Sequence, residues 1–336
     1  MTTFADLEIH FHKREVGQYD VELRLSLPDS EADSRPGGDA PITLAFDFSS
    51  LQPMIVDPIE YGVMLGECFF TPDMARAFTE ARASATTAGA ALRVRLLADS
   101  SAPEINTLYW EALRNPQDKT PLFTGENILL SRYLPSTDLR PVKLRPQGTL
   151  KALAAASNPS DLANYKLAPV DVSGELDRAK EALGTIPVTE IGRTEPCTLN
   201  QLMEKLRTGY DILYLAAHGT MAESGPHLWL QNEDGSAAIT TVEEIVTRVR
   251  ELQTLPRLVV LVSCQSAGDG KPNANSGRVL QAFGPRLAQA GVPAVIAMQG
   301  NISMESAKQF LPVFFKELQQ DGQIDRALSV ARGVIR

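Results

Sequence analysis

The sequence predicts an α/β protein in which a mostly parallel sheet is sandwiched by helices and preceded by a β-rich α+β N-terminal region. Alternating apolar residues between positions 4 and 27 are typical of half-buried antiparallel strands. From about residue 145, short strands that are apolar on both faces alternate with helices, which is typical of a parallel sheet. With 336 residues, 43% hydrophobic and 22% charged, the chain has the composition of a globular protein. Its length permits two domains.

The N-terminal region, which we place at 1–100, is predicted from local patterns. Val21, Leu23, Leu25 and Leu27 fall on one face of an alternating segment and predict a strand with one buried side. The other elements predicted here are a loop at 28–41, a strand at 41–49, an alanine-rich helix at 71–89 and a strand at 91–99. This region is therefore expected to mix helices with β-hairpins.

The second region, placed at 101–336, has the βα alternation of a parallel sheet. Its predicted strands lie at 149–157, 186–192, 212–217, 257–263 and 292–300, with a hairpin at 226–240. Its predicted helices lie at 173–183 and 197–209, from Thr241 onward, at about 276–290, and at 303–318. Thr198 precedes Gln201, and Thr241 precedes Glu244, by the three residues of a capping box. Right-handed crossovers would bring the carboxyl ends of these strands to one edge of the sheet.

Charge and cysteine content narrow the class of protein. The formal net charge is -9, and no Lys/Arg cluster is present, so we expect neither a nucleic-acid nor a membrane partner. No apolar run reaches the roughly 18 residues of a membrane span, and the N-terminus lacks the pattern of a signal peptide. Three cysteines without CxxC spacing favour a reducing, cytoplasmic location.

Two strands end on side chains that carry chemistry. The strand in "DILYLAAHG" ends at His218, and the strand in "LVVLVSCQSAG" ends at Cys264, 46 residues later. Ligands of open α/β sheets bind outside the carboxyl ends of the strands. A thiol beside an imidazole forms a strong nucleophile with a proton donor for the leaving amine. The backbone N–H groups of Gly219 and Cys264 are the candidates for stabilising the oxyanion.

Structural explanations exist for each residue taken alone. A histidine at a strand end is more often structural, and a cysteine after an apolar strand is more often a small core residue. The two together, with His-Gly at one strand end, favour catalysis, and caspases also carry the histidine about 50 residues before the cysteine. A nucleotide-binding domain is not indicated, since neither GxGxxG nor GxxxxGK[ST] occurs after the first strands.

The segments "YDILYLAAHG" (210–219), "LVVLVSCQSAG" (258–268) and "AGVPAVIAMQGNIS" (290–303) closely resemble CHAT-domain peptidases, bacterial relatives of caspases, separases and gingipains. The resemblance extends from about 105 to the chain end. It implies a caspase-haemoglobinase-like fold, with His218 as general base and acid and Cys264 as nucleophile. It further implies a cysteine endopeptidase without metal or cofactor that cleaves a partner protein in a regulated bacterial defence or cell-death pathway.

The alternative is a catalytically silent pseudo-peptidase, a scaffold or sensor that binds a partner at the sheet edge.

The CHAT resemblance also bears on the end of the chain. Family members continue with a further strand, whereas the last eleven residues here read as an amphipathic helix. We therefore expect the C-terminal end to be truncated, with a regulatory domain or partner beyond it.

Four residues are candidates for substrate binding. Ser157 and Asn158 follow a strand on the expected site edge, where they would form a pocket wall. Asp269 lies in a Gly- and Asn-rich loop, either as the acidic group of a pocket for Lys or Arg or as a solvated loop residue. Gln299 follows the next strand, where an extended peptide would pair by strand addition.

The other histidines and cysteines have ordinary explanations. His10 and His12 share one strand face and are either metal ligands or, as we favour in the absence of a nearby third ligand, part of an exposed face. His227 lies on the hairpin, either near the site or in an ordinary hairpin position. Cys68 and Cys197 have no base nearby in sequence and are interpreted as core or surface thiols.

Overall fold

A computed structural model describes residues 3–99, 101–134, 136, 138, 140–142, 145–262, 274–298 and 304–335. The chain divides into two compact units. The N-terminal unit comprises Met1–Leu134 and Gln320–Arg336, and the central unit comprises Pro135–Gln319. Each has its own sheet and its own apolar core. Within the described residues, no helix is both long enough and apolar enough to cross a bilayer.

The N-terminal unit is built on one mixed five-stranded sheet. Its strands are β1 (Phe4–Glu15), β2 (Gln18–Ser26), β3 (Ile42–Ala45), β4 (Ala91–Ala98) and β5 (Ile128–Arg132). They lie in the order β3-β2-β1-β4-β5, with the first three antiparallel and the last three parallel. Its helices are α1 (Phe48–Leu51), α2 (Pro58–Phe69), α3 (Pro72–Thr87) and a C-terminal helix (Ile324–Val334). This arrangement confirms the predicted β-rich α+β region.

One face of this sheet is the core of the N-terminal unit. The alternate residues Leu7, Ile9 and Phe11 of β1 are fully buried, because successive side chains of a strand point to opposite faces. Trp110 is also buried, and its indole N–H donates to the carbonyl of Ile105 at 2.9 Å. Burial of each such large apolar side chain contributes about 1.5–3 kcal/mol to folding.

The opposite face of this sheet carries paired charges. The guanidinium of Arg93 on β4 makes two hydrogen bonds to the carboxylate of Asp6 on β1, at 2.5 and 2.8 Å. A guanidinium nitrogen of Arg93 also lies 3.6 Å from a carboxylate oxygen of Asp325 on the C-terminal helix. A guanidinium nitrogen of Arg332, on the same helix, lies 4.0 Å from a carboxylate oxygen of Glu111. Burial raises the pKa of Asp325, and nearby arginines oppose that rise. The C-terminal helix therefore contacts the rest of the N-terminal unit partly through ion pairs whose side chains are 15–31% exposed.

The central unit contains an all-parallel five-stranded sheet in the order β13-β12-β8-β6-β7. Its elements are β6 (Ala152–Ala156), α4 (Val172–Leu183), β7 (Val188–Ile191), α5 (Leu199–Arg207), β8 (Ile212–Ala216), β9 (Gly219–Ala222), β10 (Gly225–Gln231), β11 (Ala237–Thr241), α6 (Val242–Arg250), β12 (Leu258–Val262), α7 (Ala274–Gln289), β13 (Ala294–Ala297) and α8 (Met304–Asp321). The predicted parallel sheet flanked by helices is thereby confirmed.

Helices cover both faces of the parallel sheet, and β8 shows how. Leu213 and Leu215 join a core that includes apolar residues of α5, α6 and α7. On the other face, the Tyr214 hydroxyl donates to the carboxylate of Glu175 on α4 at 3.1 Å. Every residue of β8 is buried, which explains its continuous apolar sequence.

The hairpin predicted at 226–240 is the antiparallel pair β10–β11, and β9 extends it to a three-stranded ribbon. The predicted helix caps are present as well. The Thr198 hydroxyl accepts from the Gln201 N–H, and the Thr241 hydroxyl accepts from the Glu244 N–H, each at 3.1 Å. The reciprocal half of the first box is not formed, because the buried Gln201 Oε1 has no hydrogen-bond partner in the part of the chain that the structure describes.

Candidate active site

His218 lies at the carboxyl end of the central sheet. Strand β8 ends at Ala216, and β9 begins at Gly219, so His218 occupies the connection between the two strands. The residue is only 5% exposed. Its carbonyl accepts from the backbone N–H of Trp229 on β10 at 3.0 Å, which fixes the backbone of this connection. A rigid strand end therefore presents the imidazole.

The imidazole of His218 has a defined hydrogen-bond partner. Its Nε2 lies 2.7 Å from the carbonyl oxygen of Ala168. A carbonyl oxygen only accepts, so Nε2 carries the proton of the neutral ring, and Nδ1 carries the basic lone pair. Burial lowers the pKa of His218, and the Ala168 carbonyl partly opposes that effect. Burial therefore favours the uncharged ring, in which Nδ1 is able to accept a proton.

Gly219 is required by packing. A Cβ on this residue would lie 2.8 Å from the Cβ of Val279 on α7, closer than real side chains approach. Glycine therefore lets the turn after His218 lie directly against α7. This contact explains the residue type independently of catalysis, and the oxyanion role of the Gly219 N–H stays a prediction.

The predicted nucleophile Cys264 lies outside the described residues, as do the predicted substrate-binding residues Asp269 and Gln299. The strand that leads toward Cys264 is described. Val262, the last residue of β12, pairs in register with Ala216, the last residue of β8. Cys264 follows its strand end by two positions, as His218 does. The two strand ends that the sequence singled out thus belong to adjacent parallel strands.

Ser157 and Asn158, the other two predicted substrate-binding residues, follow β6, which neighbours β8 on its other side. The Ser157 backbone N–H donates to the Ala216 carbonyl at 2.9 Å, and its buried hydroxyl has no hydrogen-bond partner among the described residues. The Asn158 side-chain oxygen accepts from the Val170 N–H at 2.8 Å. Both residues therefore lie at the same sheet edge as His218, and their contact with a substrate stays a prediction.

Sequence reasoning missed Ala168 and the aromatic pair beside it. Ala168 acts through a backbone carbonyl, which no residue type marks, and only the following Pro169 hints at an ordered extended segment. Three residues earlier, the half-exposed Tyr165 packs its ring against Trp229, with ring centroids 4.6 Å apart. Trp229 is buried, and it is its backbone N–H that donates to the His218 carbonyl.

The remaining cysteines and histidines lack the surroundings of a reactive group. Burial raises the pKa of Cys68, and raises that of Cys197 to about 12, so both thiols stay protonated at neutral pH. His227 is buried on β10 and lies 2.9 Å from the Gly225 carbonyl oxygen. The Nδ1 of His12 lies 3.2 Å from a carboxylate oxygen of Asp99. Among the described residues, no cluster of three or more His, Cys, Asp or Glu side chains could hold a metal ion.

The comparison with family models agrees with the motifs. The sequence model of the CHAT domain matches residues 60–336. No curated protein matches the chain significantly. The structure is similar to a complex of the Porphyromonas gingivalis RgpB pro- and mature domains, at 13% identity and a TM-score of 0.41 over 85% of this chain and 72% of that one. It is also similar to the Arg-specific cysteine proteinase gingipain R, at 12% identity and a TM-score of 0.39 over 85% and 70%.

The match to the CHAT domain covers most of the chain and includes His218 and Cys264. The chain therefore belongs to the CHAT domain family.

Proposed function

We propose that the protein is a cysteine endopeptidase in which Cys264 is the nucleophile and His218 is the general base and acid. The observation that carries the proposal is the state of His218. Its ring is buried and bonded through Nε2 to the Ala168 carbonyl, which leaves Nδ1 as the basic atom of the uncharged form that burial favours. The adjacency of β8 and β12 and membership of the CHAT domain family support the pairing with Cys264.

In the proposed reaction, His218 Nδ1 takes the proton from the Cys264 thiol as the sulfur attacks the scissile carbonyl carbon. The resulting oxyanion would be stabilised by the backbone N–H groups of Gly219 and Cys264. Collapse breaks the C–N bond, the imidazolium returns its proton to the leaving amine, and a thioester remains. Water then attacks the thioester with His218 again as the base, which releases the acid and restores the thiol.

The lowered pKa of His218 bears on how this dyad works. Since burial favours the uncharged imidazole, we favour proton transfer during the attack over an ion pair formed beforehand. The Ala168 carbonyl stabilises the imidazolium that forms in this step, because a hydrogen bond from Nε2–H to oxygen strengthens when the ring becomes positive.

The proposed substrate is a partner protein bound as an extended chain, and the residues proposed to contribute to its pocket are Ser157, Asn158, Asp269 and Gln299. We place the activity in the cytoplasm, in a regulated bacterial defence or cell-death pathway. The alternative, a silent scaffold that binds its partner at the same edge, would not require an activated thiol, and this difference makes the two functions separable.

The proposal is tested by the reactivity of Cys264 toward iodoacetamide. We expect Cys264 to be alkylated below pH 8 much faster than Cys68 or Cys197, and we expect His218→Ala to remove this advantage. His227→Ala is the matched control, because it removes another buried histidine of the central unit without touching His218. In cleavage assays, Cys264→Ala and His218→Ala should both abolish activity while leaving the protein folded.

Two results would contradict the peptidase assignment. One is cleavage that persists in Cys264→Ala at matched purity. The other is a Cys264 alkylation rate no higher than that of an ordinary thiol and unchanged by His218→Ala, which would instead support the silent scaffold.

A further inference from the structure

The side chain of Asn158 is hydrogen-bonded to the same short segment that contacts the His218 imidazole. Its Oδ1 accepts from the backbone N–H of Val170 at 2.8 Å. Val170 lies two residues after Ala168, whose carbonyl accepts from the imidazole Nε2–H at 2.7 Å. The loop between β6 and α4 thus carries both the partner of the imidazole and the group that Asn158 holds.

Only one residue separates the two peptide groups concerned. The Ala168 carbonyl belongs to the peptide unit before Pro169, and the Val170 N–H belongs to the unit after it. The proline ring locks its own φ, and each peptide unit is planar, so a single soft torsion, ψ of Pro169, lies between them. Anchoring the Val170 N–H therefore also restricts the direction of the Ala168 carbonyl.

Asn158 itself is anchored to the strands around the site. Its carbonyl accepts from Nε2 of Gln231 on β10 at 3.2 Å. The preceding residue, Ser157, donates its backbone N–H to Ala216 at 2.9 Å, two residues before His218. These hydrogen bonds therefore form a closed set of contacts. They link His218 through Ala168, Val170 and Asn158 to Ser157, which is bonded to β8, the strand that leads to His218.

We propose that Asn158 is a positioning residue for His218: its side-chain oxygen holds the loop so that the Ala168 carbonyl accepts the imidazole Nε2–H and leaves Nδ1 as the base. This inference rests on the proposed function for its catalytic meaning, but the geometry that carries it does not depend on activity. It assigns Asn158 a role beyond the pocket wall expected from its place in the sequence.

The test reads the tautomer of His218 directly. In a Cys264→Ala protein, long-range ¹H–¹⁵N spectra should show an uncharged His218 ring protonated at Nε2 alone, identified by the loss of its signals in His218→Gln. We expect Asn158→Ala to give a mixture of the two tautomers. Asn158→Asp, which keeps an acceptor oxygen in the same place, should retain the single tautomer.

Asn164→Ala is the matched control, since Asn164 is an exposed asparagine of the same loop. It should leave the tautomer unchanged. With Cys264 restored, Asn158→Ala should lower the rate of Cys264 alkylation by iodoacetamide about tenfold, because a small displacement of a reacting group has effects of this size or larger. If Asn158→Ala does not fold, Asn158→Leu is used in its place, because leucine keeps the side-chain volume and lacks the acceptor oxygen.

The outcomes separate this inference from the proposed function. A single Nε2–H tautomer in folded Asn158→Ala or Asn158→Leu would overturn the positioning role, whatever the activity. An equal change in Asn164→Ala would overturn it too. A tautomer that depends on Asn158 in a protein whose Cys264 is unreactive would support the positioning role while contradicting the peptidase.

Discussion

Val279 of α7 occupies the space that a side chain on Gly219 would need. The Cβ of Val279 would lie 2.8 Å from a Cβ built on Gly219, and its two methyl groups would lie 3.0 and 3.2 Å away. Both residues are buried. The connection that carries His218 is therefore packed against α7 with no room for an added methyl group.

We expect Gly219→Ala to lower the free energy of unfolding by about 1–3 kcal/mol, the usual cost of overpacking a core. Urea unfolding of the purified protein measures this change. Gly125→Ala is the matched control, because no atom of the described residues lies within 4 Å of a Cβ on that exposed glycine. Equal stability of the two variants would show that the Gly219–Val279 contact relaxes without cost.

The buried carboxylate of Asp211 gives a second prediction about stability. It is 2% exposed, is paired with the Arg257 guanidinium, lies 3.5 Å from Arg145 and accepts from the Lys151 backbone N–H at 3.0 Å. Asp211→Asn removes the negative charge and leaves the guanidinium groups of Arg257 and Arg145, 19% and 34% exposed, without their carboxylate partner. We expect a loss of roughly 3 kcal/mol in the free energy of unfolding, measured by urea titration.

The matched control for Asp211→Asn is Asp177→Asn. Asp177 also pairs with an arginine, Arg193, at 2.6 Å, but its side chain is 67% exposed. Solvent screens such a pair, so a loss below about 1 kcal/mol is expected. If Asp211→Asn lowers the free energy of unfolding by as little as Asp177→Asn does, the groups around Asp211 must rearrange once its charge is removed.

The lowered pKa of His218 predicts how stability depends on pH. A histidine in the unfolded chain titrates near about 6.5. Because the folded pKa is lower, protonation favours the unfolded state. The contribution of His218 to stability is therefore complete above the unfolded pKa and is lost as the pH falls through the folded one.

In a Cys264→Ala protein, we expect NMR titration to place the His218 midpoint below 6.5. The free energy of unfolding should fall more steeply between pH 7 and pH 5 than in a variant that also carries His218→Gln. A midpoint at or above 6.5 would contradict the burial of an uncharged ring.

The cap of α6 gives a prediction with a conservative rescue. The Thr241 hydroxyl accepts from the Glu244 N–H, one of the N-terminal donors of the helix that otherwise lack a partner. Thr241→Ala should therefore lower the free energy of unfolding by about 1 kcal/mol. Thr241→Ser keeps the oxygen and should recover most of this loss in the same urea measurement. Equal loss in both variants would assign the effect to the Thr241 methyl group instead.

Much of the fold could be predicted because local patterns agree with it. The unbroken apolar runs of β8 and β12 predicted buried parallel strands, and these two strands are neighbours in the sheet. The alternation in β2 and the threonines before α5 and α6 were equally informative. In each case the signal lies within a few residues, where spacing alone decides which side chains share a face or meet a helix end.

Contacts between distant segments could not be predicted in this way. The acceptor of the His218 imidazole is a backbone oxygen 50 residues away, and any residue type could supply it. The pairing of Arg93 with Asp325 depends on the return of the C-terminal helix to the N-terminal unit, which periodicity does not encode. The placement of Cys264, Asp269 and Gln299 lies outside the described residues, so their roles stay predictions.

The complete burial of β6, β8 and β12 has a consequence for the lifetime of the site. Each of these strands has a hydrogen-bonded strand on both sides and no exposed residue along its length. Amides in such strands exchange with deuterated water only through the largest openings of a domain. His218 follows the end of β8 by two residues, so we expect the surroundings of its imidazole to be lost on heating only when the central unit melts.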